Sequence, residues 1–194
     1  VEPVRLESDL YSRIQGIFDS NDLKRQTVCV IGLGSGGSFG AVELAKCGVG
    51  RFILVDFDRL HTHNVTRHIC GIGDVGRFKT RAVRDVILQH SPAAQVECWE
   101  SDITEDDQLL QQVVSCSDLV FAATDNEPSK YIINDVCLSK GVPAVYGGVY
   151  ERAFAGEAIR VIPGLTGCYA CVRQGFSNTA GSLSAPTDLD YTDD

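Results

Sequence analysis

The sequence holds no methionine and a single tryptophan in 194 residues, and it begins at Val1. A chain with no methionine anywhere reads as a segment excised from a longer protein. Long apolar runs are missing as well. Nothing approaches the roughly 20 apolar residues of a membrane-spanning helix. The opening VEPVRLESDL is charged and lacks the layout of a secretion signal. Membrane insertion is therefore not expected. Basic charge is scarce: 17 Lys and Arg face 26 Asp and Glu, a net charge of −9. That balance argues against nucleic acid as a partner, because phosphate backbones demand clustered cations. Four of the acids (Asp188, Asp190, Asp193, Asp194) crowd the last seven residues, beside Ser, Thr and Pro, which reads as a solvated, flexible end. No internal repeat is present.

What remains is ordinary for a globular chain: 44% hydrophobic and 22% charged residues, enough for one domain with its own core. Eight cysteines do not make a disulfide scaffold. Cys29, Cys47, Cys98, Cys116 and Cys137 fall in or beside apolar segments, where cysteine acts as a small hydrophobe. Without a secretion signal a reducing cytoplasm is expected. Cys168 and Cys171, spaced C-x-x-C, are the pair with chemical meaning.

The centre of the chain is residues 27–50. Val28, Cys29, Val30 and Ile31 form a short apolar run that stops at Gly32-Leu33-Gly34-Ser35-Gly36-Gly37. A helical pattern with Phe39, Val42, Leu44 and Ala45 follows. In a strand–turn–helix unit of this kind Gly32 allows the tight turn, Gly34 lets backbone approach a phosphate, and Gly37 lets helix and strand pack closely. The helix start then offers free N–H groups to an anion. Nineteen positions after Gly37 a second apolar run (Phe52 to Val55) ends in Asp56, placed to accept from ribose hydroxyls.

Around this unit the pattern predicts a short amphipathic helix over residues 7–18, bearing Leu10, Tyr11, Ile14, Phe18 and, among them, Arg13. Residues 19–22 should break it, with residues 23–26 leading into the first strand. Beyond Asp56 runs a long polar connection, and loops of such length in a compact domain are usually functional. Helices are expected over 77–90, 105–115 and 127–140, the last with Pro128 near its start. Strands are expected over 95–99, 118–123, 144–146 and 157–162, with Gly147-Gly148 ending the 144–146 strand. From Gly175 the composition turns to Ser, Thr, Gly and Asp, and order should fade. Alternating strands and helices predict a Rossmann-like α/β fold: a mostly parallel sheet, helices on both faces and an N-terminal helical segment.

Ligands of such sheets bind beyond the carboxyl ends of the strands. Three of those ends are polar here: the glycine turn, Asp56-Phe57-Asp58 and Thr124-Asp125-Asn126. Asn64, Arg67 and Lys79 lie between them in sequence. A phosphate cradle, carboxylates and cations suit a nucleoside triphosphate with Mg²⁺. A nicotinamide-dependent oxidoreductase shares the glycine turn and Asp56 but gives Arg67, Lys79 and Asp125 no task. Each polar residue also has a plain structural reading. Asp58 and Asn64 suit Asx turns, Lys79 a solvated helix start, and Asp125 an N-cap.

The motifs YSR at 11–13, GLGSGG at 32–37, VDFD at 55–58, HNVTR at 63–67, FK at 78–79, TDN at 124–126 and CYAC at 168–171 occur together. On them the chain, from about residue 11 to 172, resembles the ThiF/MoeB-type adenylation domains of the ubiquitin-activating superfamily. The resemblance implies ATP-dependent adenylation of the C-terminal glycine carboxylate of a ubiquitin-like or sulfur-carrier protein, with release of pyrophosphate. It implies that Gly32, Gly34 and Gly37 cradle phosphate and Asp56 takes the ribose. Asn64, Arg67 and Lys79 would contact the triphosphate, and Asp125, with Asn126 beside it, would hold Mg²⁺. Asp58 would shape the loop or the metal site. Arg13 matches the family's N-terminal arginine, which enters the partner subunit's site in a homodimer. The implied division is an arginine-bearing segment 1–26, a nucleotide-binding adenylation domain 27–174 and an acidic tail 175–194.

Three departures stand out. The family often closes a structural Zn²⁺ with two C-x-x-C pairs, and only Cys168 and Cys171 are present; two thiolates are half of a tetrahedral set. The expectation is that the other pair lies beyond Asp194. No cysteine follows Cys171, so activation without thioester transfer is expected. The motif loop carries His63 and His68 where leucine and glutamine are usual, and both are read as loop packing. The remaining alternative is a non-catalytic partner subunit, which would have no need of Asp125.

Overall fold

Strands form where apolar runs of four to six residues lie between turn residues, and most of these runs are apolar throughout rather than alternating. That is the pattern of strands covered on both faces. A computed structural model describes residues 10–12, 20–149 and 155–179. Its six strands are β1 (Thr27–Ile31), β2 (Arg51–Val55), β3 (Gln95–Trp99), β4 (Leu119–Ala122), β5 (Ala144–Val149) and β6 (Gly156–Val161). The sheet order is β3-β2-β1-β4-β5-β6. The first five strands are parallel and β6 runs antiparallel to β5. The helices are α1 (Ser20–Arg25), α2 (Ser35–Lys46), α3 (Lys79–His90), α4 (Asp107–Ser115), α5 (Glu127–Lys140) and α6 (Tyr169–Thr179).

The sheet has an apolar layer on each face. Val28, Val30, Phe52 and Leu54 meet Ala41, Val42 and Ala45 of α2 and Ala82, Val83 and Ile87 of α3. On the opposite face Cys29, Ile31, Ile53 and Val55 meet Leu109, Leu110, Val113 and Val114 of α4 and Ile133, Val136 and Cys137 of α5. Successive residues of one strand feed opposite layers, as the two-residue period requires.

Several expectations need correction. Residues 20–22 are themselves helical and open α1, with Asp22 in its first turn and Lys24 and Arg25 in its last, the arrangement that complements a helix dipole. Phe39 does not join the apolar face of α2 and is 45% exposed. The buried stripe there is Gly37, Ser38, Ala41, Val42 and Ala45, because the helix packs too close to the sheet for larger groups. A Cβ on Gly40 would stand 2.4 Å from the Phe121 ring. Gly147-Gly148 does not end β5, because pairing with β6 runs on through Gly147↔Ala158 and Gly148↔Glu157. Cys116 is exposed, and α6 continues past Gly175. Tyr11 is buried, its hydroxyl 3.0 Å from Ser91 Oγ. Within the expected 7–18 helix Tyr11 and Ser12 form a turn; residues 7–9 and 13–18, Arg13 included, and the stretch 180–194 lie outside the described residues. No helix among the described residues is long and apolar enough to cross a membrane.

Candidate nucleotide site

The chain lays down β1, β2 and β3 in one direction and returns to place β4 on the other side of β1. The gap between β1 and β4 is the switch point at which open α/β sheets leave a crevice. Register brings the carboxyl ends together: Ile31 pairs with Val55 on one side and with Ala122 on the other. The Gly32 N–H donates to Val55 O (2.9 Å) and the Ala123 N–H to Ile31 O (2.8 Å). The glycine turn, Asp56 and Thr124-Asp125-Asn126 therefore leave the sheet side by side.

Two glycines of the turn are demanded by packing. Gly32 has φ +86°, and a Cβ there would lie 2.9 Å from the Ala123 carbonyl and the Thr124 nitrogen. A Cβ on Gly37 would lie 1.9 Å from Gly32 O. Gly34 differs: a Cβ would meet nothing within 4 Å, so its space is left free. Gly34 is also the N-cap of α2, without a side-chain cap and with no acid in the first turn. The first N–H groups of a 12-residue helix thus remain for an anion.

Asp56 and His68 grip the turn through Leu33. The Leu33 N–H donates to Asp56 Oδ2 (2.6 Å), and the other oxygen, Oδ1, accepts from the Asp58 N–H (2.8 Å). Burial raises the Asp56 pKa, against the nearby charge of Lys79 and these two backbone donors. His68 is buried, with Nε2 2.7 Å from Leu33 O. Its Nδ1 accepts from the Cys70 N–H (3.1 Å), so Nε2 carries the proton and donates to Leu33 O. Burial lowers its pKa; the Leu33 contact opposes this, Lys79 reinforces it and Asp74 opposes it. His68 is the site residue that sequence reasoning passed over. It does pack the loop, but what it packs against is the glycine turn. The one available signal was a histidine directly after the HNVTR motif.

The long connection is closed at its neck. Arg59 and Phe78 form an antiparallel bridge, the Leu60 N–H donates to Arg77 O and the Lys79 N–H to Asp58 O. The Arg59 guanidinium stacks 3.8 Å from the Phe78 ring centroid. This neck brings Lys79 back beside Asp58, with Nζ 2.7 Å from Asp58 Oδ2. Lys79 is buried, so the reading of a solvated helix start fails. Asp58 spends its carboxylate on this pair, and the Asx turn belongs to Asp56.

Asn64 and Arg67 lie on the 3₁₀ segment Thr62–Arg67. Asn64 Oδ1 accepts from the His61 N–H three residues back (2.9 Å), a capping contact at the start of that segment in place of the expected Asx turn, and its amide nitrogen is the group left over. Arg67 is exposed. At the end of β4, Asn126 rather than Asp125 caps α5, accepting from the Ser129 N–H (2.9 Å). Asp125 is exposed and makes no hydrogen bond or ion pair among the described residues. Cys168 and Cys171 hold their sulfurs 3.4 Å apart. The Cys171 N–H helps lower the Cys168 pKa, while that of Cys171 is raised by its bond to Cys168. No group of three metal-ligating side chains occurs among the described residues.

Comparison with known proteins comes down on the same architecture. The sequence profile described as the ThiF family matches residues 10–187. The ubiquitin-like modifier-activating enzyme 5 of Caenorhabditis briggsae is 30% identical over 182 residues, covering 86% of this chain and 42% of that protein. The SAMP-activating enzyme E1 of Haloferax volcanii is 34% identical over 146 residues, 75% of this chain and 52% of that protein. The chain thus spans about half the length of the curated relatives it matches. Among solved structures, E. coli MccB with succinimide superposes with a TM-score of 0.74 at 22% identity, over 92% of this chain and 57% of that one.

Proposed function

The chain belongs to the ThiF family, and we propose that it adenylates the C-terminal glycine carboxylate of a ubiquitin-like or sulfur-carrier protein at the expense of ATP. Its relatives named above are activating enzymes for a ubiquitin-like modifier and for SAMP, which supports a small protein as the acceptor. The observation that carries the reading is the meeting, at the β1/β4 switch point, of an uncapped helix start with open space at Gly34 and a carboxylate, Asp125, that is unengaged among the described residues. Lys79, held close by the neck of the long connection, adds the cation such a site needs.

In this reading the acceptor carboxylate attacks the α-phosphorus of ATP. A carboxyl oxygen–phosphorus bond forms, the bond to the bridging oxygen breaks, and pyrophosphate leaves. Anions must be brought together, so neutralisation and alignment are the main tasks and no protein nucleophile is required. The turn at Gly32, Gly34 and Gly37 and the start of α2 hold phosphate, while Lys79, Arg67 and the Asn64 amide neutralise or orient its oxygens. Asp56 offers its remaining lone pairs to the ribose. Asp125 is the group to hold Mg²⁺, with Asn126 positioning the loop beside it; the ion would neutralise phosphate charge.

Arg13 completes the site of a second copy in a homodimer, residues 27–174 form the adenylation unit, and the setting is the cytoplasm. Cys168 and Cys171 supply half of a tetrahedral thiolate set for structural zinc. Calorimetric titration with ATP and with NAD tests the nucleotide assignment. Binding of ATP that requires Mg²⁺, with no heat from NAD, is expected. Binding of NAD in place of ATP would replace this reading with an oxidoreductase.

A further inference from the structure

His68 stands between two parts of the site that are far apart in sequence. One nitrogen donates to Leu33 O inside the glycine turn at 2.7 Å. The other accepts at 3.1 Å from the backbone of Cys70, in the connection that also carries Asn64 and Arg67. Leu33 is thus held by its N–H through Asp56 and by its carbonyl through His68. Both ring nitrogens are spent, one as donor and one as acceptor, an arrangement open only to the neutral ring. A second proton on Nδ1 would face the Cys70 N–H donor to donor, and the ring would have to surrender that contact.

We propose that His68 is a positioning residue for the nucleotide: its neutral imidazole is the strut that couples the phosphate turn to the loop bearing Asn64 and Arg67, and acidification uncouples the two and weakens nucleotide binding. The inference rests on the nucleotide reading given above.

The surroundings favour the neutral ring. From α3 the Lys79 cation faces the ring, itself paired with Asp58. From the connection Asp74 faces it, with its carboxylate tied to Arg77 at 2.6 Å. From the end of β2 the Asp56 carboxylate is occupied by Leu33 and Asp58. Among the described residues both of these carboxylates are already engaged, which leaves neither free to favour a second proton on the ring. Because the fold lowers the His68 pKa, its contribution is whole above the unfolded value of about 6.5 and is lost as pH falls through the folded value.

Two substitutions separate the halves of the strut. His68→Gln places an amide nitrogen where Nε2 reaches Leu33 O, and it does not titrate. His68→Asn places an amide oxygen where Nδ1 meets the Cys70 N–H and loses the contact to the turn. Calorimetry with a non-hydrolysable ATP analogue and Mg²⁺ is run on wild type and both variants at pH 7.5 and 5.5. The wild type should lose affinity on acidification by roughly threefold or more beyond the loss in His68→Gln, which serves as the reference for titration of the nucleotide itself. His68→Asn should bind weakly at both pH values.

Amide exchange supplies a readout that needs no nucleotide. After correction for intrinsic rates, Cys70 protection should fall with acid in the wild type and persist in His68→Asn. Equal pH profiles for wild type and His68→Gln, or Cys70 protection in the wild type that ignores pH, would overturn the proposal. If the analogue binds none of the three proteins, the nucleotide reading falls, and with it the proposed effect on binding. Exchange at Cys70 then still reports whether the strut itself titrates.

Discussion

Lys79 Nζ lies 2.7 Å from Asp58 Oδ2, with 8% of the lysine left exposed. The ammonium is therefore neutralised and held in place before any phosphate arrives. Lys79→Met removes the cation and keeps the buried stem's volume. Because Asp58 is half exposed, stability by urea titration should change by about 1 kcal/mol or less. Pyrophosphate exchange should fall roughly 10²-fold or more, as when a charge-stabilising donor is removed. Retained exchange would remove Lys79 from the catalytic set.

Among the described residues Asp125 makes no hydrogen bond or ion pair that its loss would break, so Asp125→Ala should melt within about 2 °C of wild type. The Mg²⁺-dependent part of ATP binding should disappear with it. A variant that still requires Mg²⁺ with unchanged affinity would show that the metal is held elsewhere.

Gly34 and Gly37 should respond in opposite ways to the same substitution. Gly37→Ala drives a methyl into the Gly32 carbonyl, where backbone has no freedom to yield, and should cost about 3 kcal/mol or more. Gly34→Ala meets empty space and should fold like the wild type. Its nucleotide affinity should drop about tenfold or more, because the methyl enters the space proposed for phosphate. Thermal melts paired with calorimetry on both variants decide this.

Asp56 accepts two backbone N–H groups, one on each oxygen. Asparagine can accept only one of them and turns its amide toward the other donor, so Asp56→Asn should cost about 1–3 kcal/mol. The pH dependence carries an unusual sign. Burial raises the folded pKa of Asp56 above that of the unfolded chain. Between the two values the fold therefore binds the extra proton, and this group makes acidification stabilising there. Urea titrations across that window should show the gap between wild type and Asp56→Asn widening in favour of the wild type as pH falls.

Much of this was legible in the sequence. The strands appear because apolar runs such as 28–31 and 52–55 feed both faces of a covered sheet. The turn appears because glycine spacing answers to real clashes at Gly32 and Gly37. What escaped depends on tertiary contacts. Ser20 to Asp22 have the composition of a breaker, yet the same side chains open the helix Ser20–Arg25. Gly147-Gly148 looks like a strand end, but hydrogen bonds to β6 carry β5 through it whatever the side chains. Phe39 fits a helical period, and only the close packing of α2 shows that small residues own the inner face. Asn64 and Lys79 were each open to a local reading; Asn64 does cap its own segment, while Lys79 is drawn inward by a neck that no local pattern reveals. His68 belongs with these, since its partner Leu33 is 35 residues away.

The measurement that bears most directly on the central claim is exchange of labelled pyrophosphate into ATP. It is made with this chain, adding carrier proteins that end in Gly-Gly. The account predicts Mg²⁺-dependent exchange that one such carrier stimulates and that disappears when its terminal glycine is removed. ATP binding without exchange, with every carrier, would contradict it and identify the chain as a non-catalytic member of its family.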